Sequence, residues 1–211
     1  LKGLTGEETD LEEVREHGKA ARVPPVAPAP FASTLEAGVA SGETKFTNSG
    51  DVGLVGKIYG WAFAAEMAAV VELSYVGLEW DDAQMLTLCQ ALRAAHAGGG
   101  LQKLESLDFG MFYGQGNKNT RNHMGDVAMV ALAALLEEGA MPNLKELILH
   151  TNQITDAGQA ALASALRGGA MPSCDHIGFS NNPGSGAPAQ EALASPERKA
   201  ALARRQDELS A

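Results

Sequence analysis

A chain of 211 residues with a formal charge of −10 is long enough for one well-buried domain plus an arm, and its 45% apolar and 20% charged content excludes disorder of the whole chain. An acidic field of that size repels phosphate backbones, which argues against nucleic acid as a partner and for basic or zwitterionic protein surfaces. Cys89 and Cys174 are the only cysteines; without the dense spacing of a disulfide scaffold or a zinc site they point to a reducing, intracellular setting, cytoplasm or organelle interior.

The chain opens on Leu1 and not Met, which reads as a processed or trimmed start, and the first residues lack the basic-then-apolar layout of a signal peptide. Thr5 and Glu8 have capping-box spacing ahead of an acidic segment bearing Leu11 and Val14, which predicts a short solvated helix. From Val23 the character changes. Pro24, Pro25, Pro28 and Pro30 favour an extended, polyproline-like linker, and the Ser/Thr/Gly-rich stretch to Asn48 is aperiodic. Residues 1–50 are expected to form an N-terminal arm and not a second domain.

The longest apolar stretch, LVGKIYGWAFAAEMAAVV from Leu54, contains a Gly56-x-x-x-Gly60 spacing that suits a membrane helix. Lys57 and Glu66 argue against a span, since charges are costly in hydrocarbon and about 18 residues is at the short end of what a bilayer needs. The expectation is an N-terminal capping helix over residues 51–70 and no membrane span, with peripheral attachment to a membrane complex left open.

Beyond Val71 the chain repeats itself. Three segments align: VELSYVGLEWDDAQMLTLCQAL from Val71, LESLDFG followed after an insertion by MGDVAMVALAALL from Leu104, and LKELILHTNQITDAGQAALASAL from Leu144. Leu73, Leu107 and Leu147 share one column, Tyr75, Phe109 and Leu149 the next, Trp80 and Ile154 a third, while Leu92, Leu136 and Leu166 close each helix. A fourth copy starts at Cys174 with Ile177 and Phe179, and the Gly139-Ala140-Met141-Pro142 connector recurs at Gly169 to Pro172. Period-two alternation followed by an Ala/Leu-rich helical segment is a strand and a helix in about 30 residues. One such unit cannot bury its own apolar face, so units must stack, strands forming a parallel sheet and helices an outer row.

The third copy resembles the leucine-rich repeat of the ribonuclease-inhibitor type: Leu144, Leu147, Leu149 and Asn152 carry L-x-x-L-x-L-x-x-N, followed by I-x-D-A-G at Ile154 to Gly158. The resemblance covers residues 71 to about 195 and implies an α/β fold, a short right-handed βα solenoid of about four repeats. It also implies that the asparagine satisfies backbone groups where each strand turns away. Asn182 fills that place in the fourth copy, whereas Leu78 stands there in the first. Packing of that terminal copy under the 51–70 helix is the expected compensation. Ser195, Pro196 and Glu197 start a last helix over residues 196–211, expected as a C-terminal cap with Arg198, Lys199, Arg204 and Arg205 forming a basic face.

Side chains between the buried columns should project from the strands: Glu72, Ser74, Ser106, Asp108, Glu146, Ile148, His150 and His176. One column holds Ser106, Glu146 and His176, the residue types of a hydrolase triad. A triad needs histidine between hydroxyl and carboxylate, and here glutamate occupies the middle. A metal site of His150, His176 and Glu146 has no further carboxylate or thiolate converging on it. His17, His96 and His123 read as isolated and solvated, and the Gly98–Gly100 and Gly110–Gly116 runs as connectors without the Lys-Ser/Thr of a phosphate loop. The insertion MFYGQGNKNTRNHMG exceeds the repeat by about ten residues and offers Phe112, Tyr113, Lys118 and Arg121, types enriched at interface centres. Cys89 and Cys174, several repeats apart, are expected as free thiols.

These features lead to a protein-binding module engaging one or more proteins through the strand face and the 111–125 loop, with no catalytic residues, metal or cofactor. The alternative is an accessory subunit of a larger assembly, anchored by its arm and capping helices; a hydrolase using Ser106 and His176 is the remaining class.

Overall fold

The computed structural model describes residues 23–46, 48, 51–113 and 119–210. The Thr5/Glu8 helix start, His17 and Lys118 lie outside them. Extended chain over residues 23–27 leads into α1 (Pro28–Ser41), where a linker was expected. Pro28 opens that helix and Pro30 still falls in its first turn, where amides have no intrahelical acceptor, so both rings are accommodated. Gly42, at φ 80°, ends it with its N–H on the Val39 carbonyl.

Helix α1 lies on α2 (Asp51–Ala69). Phe31 stacks on Tyr59 at 3.9 Å between ring centroids, and the Tyr59 hydroxyl donates to the Val26 carbonyl at 2.6 Å. The glycine spacing that suggested a membrane helix serves this contact: Gly56 faces Ala32 and Gly60 faces Pro28. Among the described residues no helix is long and apolar enough to cross a membrane. Farther along, Phe63 and Met67 of α2 enter the main core, and the Met67 carbonyl accepts from Leu101 N–H at 2.8 Å.

Four short strands, β1 (Glu72–Ser74), β2 (Ser106–Asp108), β3 (Glu146–Ile148) and β4 (His176–Gly178), form one parallel sheet in chain order. They are connected through α3 (Asp82–Ala97), α4 (Asp126–Glu137) and α5 (Asp156–Arg167); α6 (Ala187–Ala194) and α7 (Pro196–Ser210) follow. This is a mixed α/β architecture. The register places Leu73, Leu107, Leu147 and Ile177 side by side, and one core cluster runs from Phe63 to Ala192. Leu107 and Leu147 are fully buried and Ile177 is 1% exposed. Each of the first three connectors turns on a left-handed glycine, Gly99 (φ 80°), Gly139 (81°) and Gly169 (85°), which is why glycine recurs there.

Where the strands turn away, three asparagines stack. The Asn152 side chain donates to Phe109 and Leu149 carbonyls and accepts from Met124 N–H; Asn182 donates to Leu149 and Phe179 and accepts from Ile154 N–H. The third is Asn122, fully buried, which donates to Tyr75 and Phe109 carbonyls and accepts from both Leu78 and Trp80 N–H at 3.1 Å. The groups left over at Leu78 are thus satisfied by the asparagine that follows the insertion, which corrects the expectation that packing under the capping helix would compensate.

A second ladder uses the first aspartate of each helix. Asp82 accepts from Gly125 and Ala128 N–H, Asp126 from Thr155 N–H, Thr155 Oγ1 and Gly158 N–H, and Asp156 from the Ser185 amide and hydroxyl. Each carboxylate sits at the positive end of its own helix and also ties down the start of the next. A side chain on Gly158 would strike Asp126, so the motif's glycine makes room for the aspartate that opens the preceding helix. Partial burial pushes the Asp126 carboxyl up, but the Thr155 hydroxyl and the two amides outweigh it and hold its pKa below the ordinary value. The folded state therefore prefers the anion. Its contribution to stability is complete above about pH 4 and disappears as pH falls through the depressed folded pKa. Melting temperatures recorded from about pH 5 downward are expected to fall less steeply for Asp126→Asn than for the wild type; parallel profiles would refute this.

Two buried polar groups depart from expectation. Arg198 was read as part of a basic face, yet it is 4% exposed and its guanidinium donates to the Ala170, Met171 and Cys174 carbonyls at 3.1, 2.8 and 3.1 Å. The side chain belongs inside because α7 crosses the connector that precedes β4. His96, expected to be solvated, has a buried Nδ1 without a hydrogen-bond partner among the described residues.

Gln159 is fully buried in α5, and neither amide atom has a hydrogen-bond partner among the described residues. The corresponding residues of α3 and α4 are Met85 and Met129, both in the core. Gln159→Met keeps the volume and removes the orphaned dipoles, so it is expected to stabilise the fold by about 1–3 kcal/mol in urea unfolding. A neutral or destabilising result would show that the amide has partners in solution.

Candidate functional site

The parallel register turns alternate strand residues to one face and sets them in two columns: Glu72, Ser106, Glu146 and His176 in the first, Ser74, Asp108, Ile148 and Gly178 in the second. All are exposed or half-buried. Carboxylates from three strands share this face, with Ile148 as its apolar member. Glu146 Oε1 lies 4.0 Å from His176 Nε2, a loose cross-strand pair in solvent. Ser106 is on the far side of Glu146, so the structure lines up the three triad residue types in the order hydroxyl, carboxylate, imidazole. At the lower rim Lys145 Nζ pairs with Glu105 at 2.8 Å, and the Asn143 side chain donates to the Gln102 carbonyl.

His150 extends the face past the strand ends. Its ring lies against Gly110, where any side chain would collide with it. The Gly110 N–H donates to Asp108 Oδ1 at 2.7 Å, and Thr151 Oγ1 lies 3.4 Å from His150 Nδ1. Thr151 holds φ 61° and Asn181, thirty positions on, φ 58°, a conformation uncommon for non-glycine residues and rarest for β-branched ones. Among the described residues no group of three or more His, Cys, Asp or Glu converges as a metal site.

The insertion leaves after Gly110 and returns at Asn122. Phe112 and Thr120 face each other in an antiparallel bridge, with Phe112 N–H to Thr120 O at 2.8 Å and Thr120 N–H to Phe112 O at 3.2 Å. Both arms sit over Gly77 (φ 63°), where a side chain would run into Phe112 and Thr120. The excursion is thus seated on the turn after β1, beside the strand face. Tyr113 is 69% exposed and Arg121 is exposed. What sequence reasoning missed is Asn122: the triplet Asn122-His123-Met124 repeats the Asn152-Gln153-Ile154 pattern displaced by the insertion, and that was the available signal.

Other hollows stand apart from the strand face. A groove of about 580 Å³ runs between α7 and the two Met-Pro connectors, lined by Met141, Pro142, Met171, Pro172, Leu202 and Arg205. Both cysteines are free and buried, and burial pushes each thiol up to about 11, so neither is poised as a nucleophile. Compared with protein-family models and with curated proteins, the chain gives no match.

Proposed function

We propose that this chain is a short leucine-rich-repeat solenoid whose strand face binds a partner protein through cationic or hydrogen-bond-donating groups. The observation that carries the reading is the pair of solvent-facing columns, with Glu72, Asp108 and Glu146 displayed in register beside Ile148. Leucine columns, asparagine ladder and aspartate ladder support the repeat assignment, because each recurs once per strand and helix unit. The seated insertion enlarges the same surface with Tyr113 and Arg121, types that serve well as interface anchors. A rigid, polar, slightly apolar strip of this kind suits side-chain readout of another protein more than enclosure of a small molecule, which calls for a concave and mostly apolar pocket.

One observation favours a second reading, an accessory subunit held by its terminal helices: Leu54, Ile58 and Trp61 of α2 recur at helical spacing and are 51%, 51% and 69% exposed. Truncation of residues 1–50 would not test this cleanly, since it also strips α1 from α2. Substitution does. Affinity purification with the Asp108→Lys/Glu146→Lys variant is expected to lose the partner by about tenfold or more, while Leu54→Ser/Ile58→Ser/Trp61→Ser retains it. The opposite pattern would transfer the function to the helix.

A further inference from the structure

The two ends of the sheet differ. At the β4 end Ile177 is 1% exposed, and the Gln190 side chain donates to its carbonyl at 2.9 Å. At the β1 end Leu73 is only half-buried, and Val71, just before the strand, is 51% exposed. Odd-numbered residues of this segment turn their backbone to β2: Tyr75 N–H donates to the Asp108 carbonyl at 2.8 Å, and the Val71 carbonyl accepts from Glu105 N–H at 2.8 Å. By alternation Glu72 and Ser74 aim their N–H and C=O away from the sheet, and no described strand lies there. Such an edge is a template for another strand.

We infer that a second copy of this chain occupies it, β1 pairing antiparallel with the partner's β1 across a twofold axis at Leu73. In that register Glu72 stands opposite the partner's Ser74, and these are the residues whose backbone groups point away from β2 and pair with none of the described strands, so four hydrogen bonds form around the axis. Side chains agree: carboxylate faces hydroxyl twice, and Leu73 is covered by the partner's Leu73. A register centred on Glu72 would set carboxylate against carboxylate, which is destabilising. The dimer joins two four-stranded sheets into one and leaves Asp108 and Glu146 open to a binding partner.

Sedimentation equilibrium of the full chain, with circular dichroism to check folding, tests this. The expected species is a dimer of twice the 21.9 kDa chain mass. Ser74→Glu places like charges opposite each other twice and should raise the dissociation constant on the order of tenfold. The swapped variant Glu72→Ser/Ser74→Glu restores the facing pairs and should restore the dimer. A wild type that stays monomeric across the accessible concentration range overturns the inference. So does a dimer indifferent to Ser74→Glu, or a swap that fails to rescue it.

Discussion

Asn122→Ala is expected to be the most damaging single substitution outside the leucine columns, lowering unfolding free energy by about 3–5 kcal/mol. The side chain is fully buried and its amide closes four hydrogen bonds at once. Alanine takes away the acceptor of Leu78 N–H and Trp80 N–H and the donor to the Tyr75 carbonyl; the Phe109 carbonyl keeps a donor, from Asn152. Each unsatisfied buried group costs about 1–3 kcal/mol, and at a position with no exposed surface water is poorly placed to replace the amide. Asn182→Ala is the internal comparison. It also loses three bonds but is half-buried, so water can replace part of them and the expected loss is roughly half as large. Urea melts with equal m-values would report the two losses directly. Asn122→Ala costing less than Asn182→Ala would mean that the insertion does not hold the first turn.

This residue also marks the limit of what could be read from the amino-acid string. The columns of Leu107, Leu147 and Ile177 were legible because period-two spacing and burial obey one rule. The alternation that buries these columns also sets Glu72, Ser106, Glu146 and His176 in register on the opposite face. Asn122 is hidden because ten inserted residues displace it from its column, so that a fixed repeat length points to Phe112 instead. Helix α1 was missed for another reason. Proline was taken as a breaker, and only the capping geometry distinguishes a proline that opens a helix from one that interrupts it. Arg198 was assigned to solvent because charge is normally exposed; nothing in one sequence shows that three carbonyls converge on that position.

Those carbonyls make Arg198 the second large effect. Its charge has no carboxylate partner among the described ion pairs. It is held by Ala170 and Met171, just beyond the C-terminal and hence negative end of α5, together with Cys174. Burial lowers the guanidinium pKa, but arginine stays charged at any pH at which the protein folds. Arg198→Ala removes both the donors and the packing of a long buried side chain, for an expected loss of about 3–4 kcal/mol. Arg198→Met restores the packing and also relieves the desolvation of a buried charge, so it should cost about 2 kcal/mol. The difference between the two separates packing from hydrogen bonding. A local readout is built in: the Cys174 thiol lies beside these carbonyls and is 6% exposed, while Cys89, in α3, is 2% exposed. If Arg198 pins α7 over the connector, alkylation of Cys174 should accelerate in Arg198→Ala and that of Cys89 should not. Equal acceleration at both thiols would mean global loosening, and the guanidinium would then be one more buried contact, without the anchoring role its three hydrogen bonds imply.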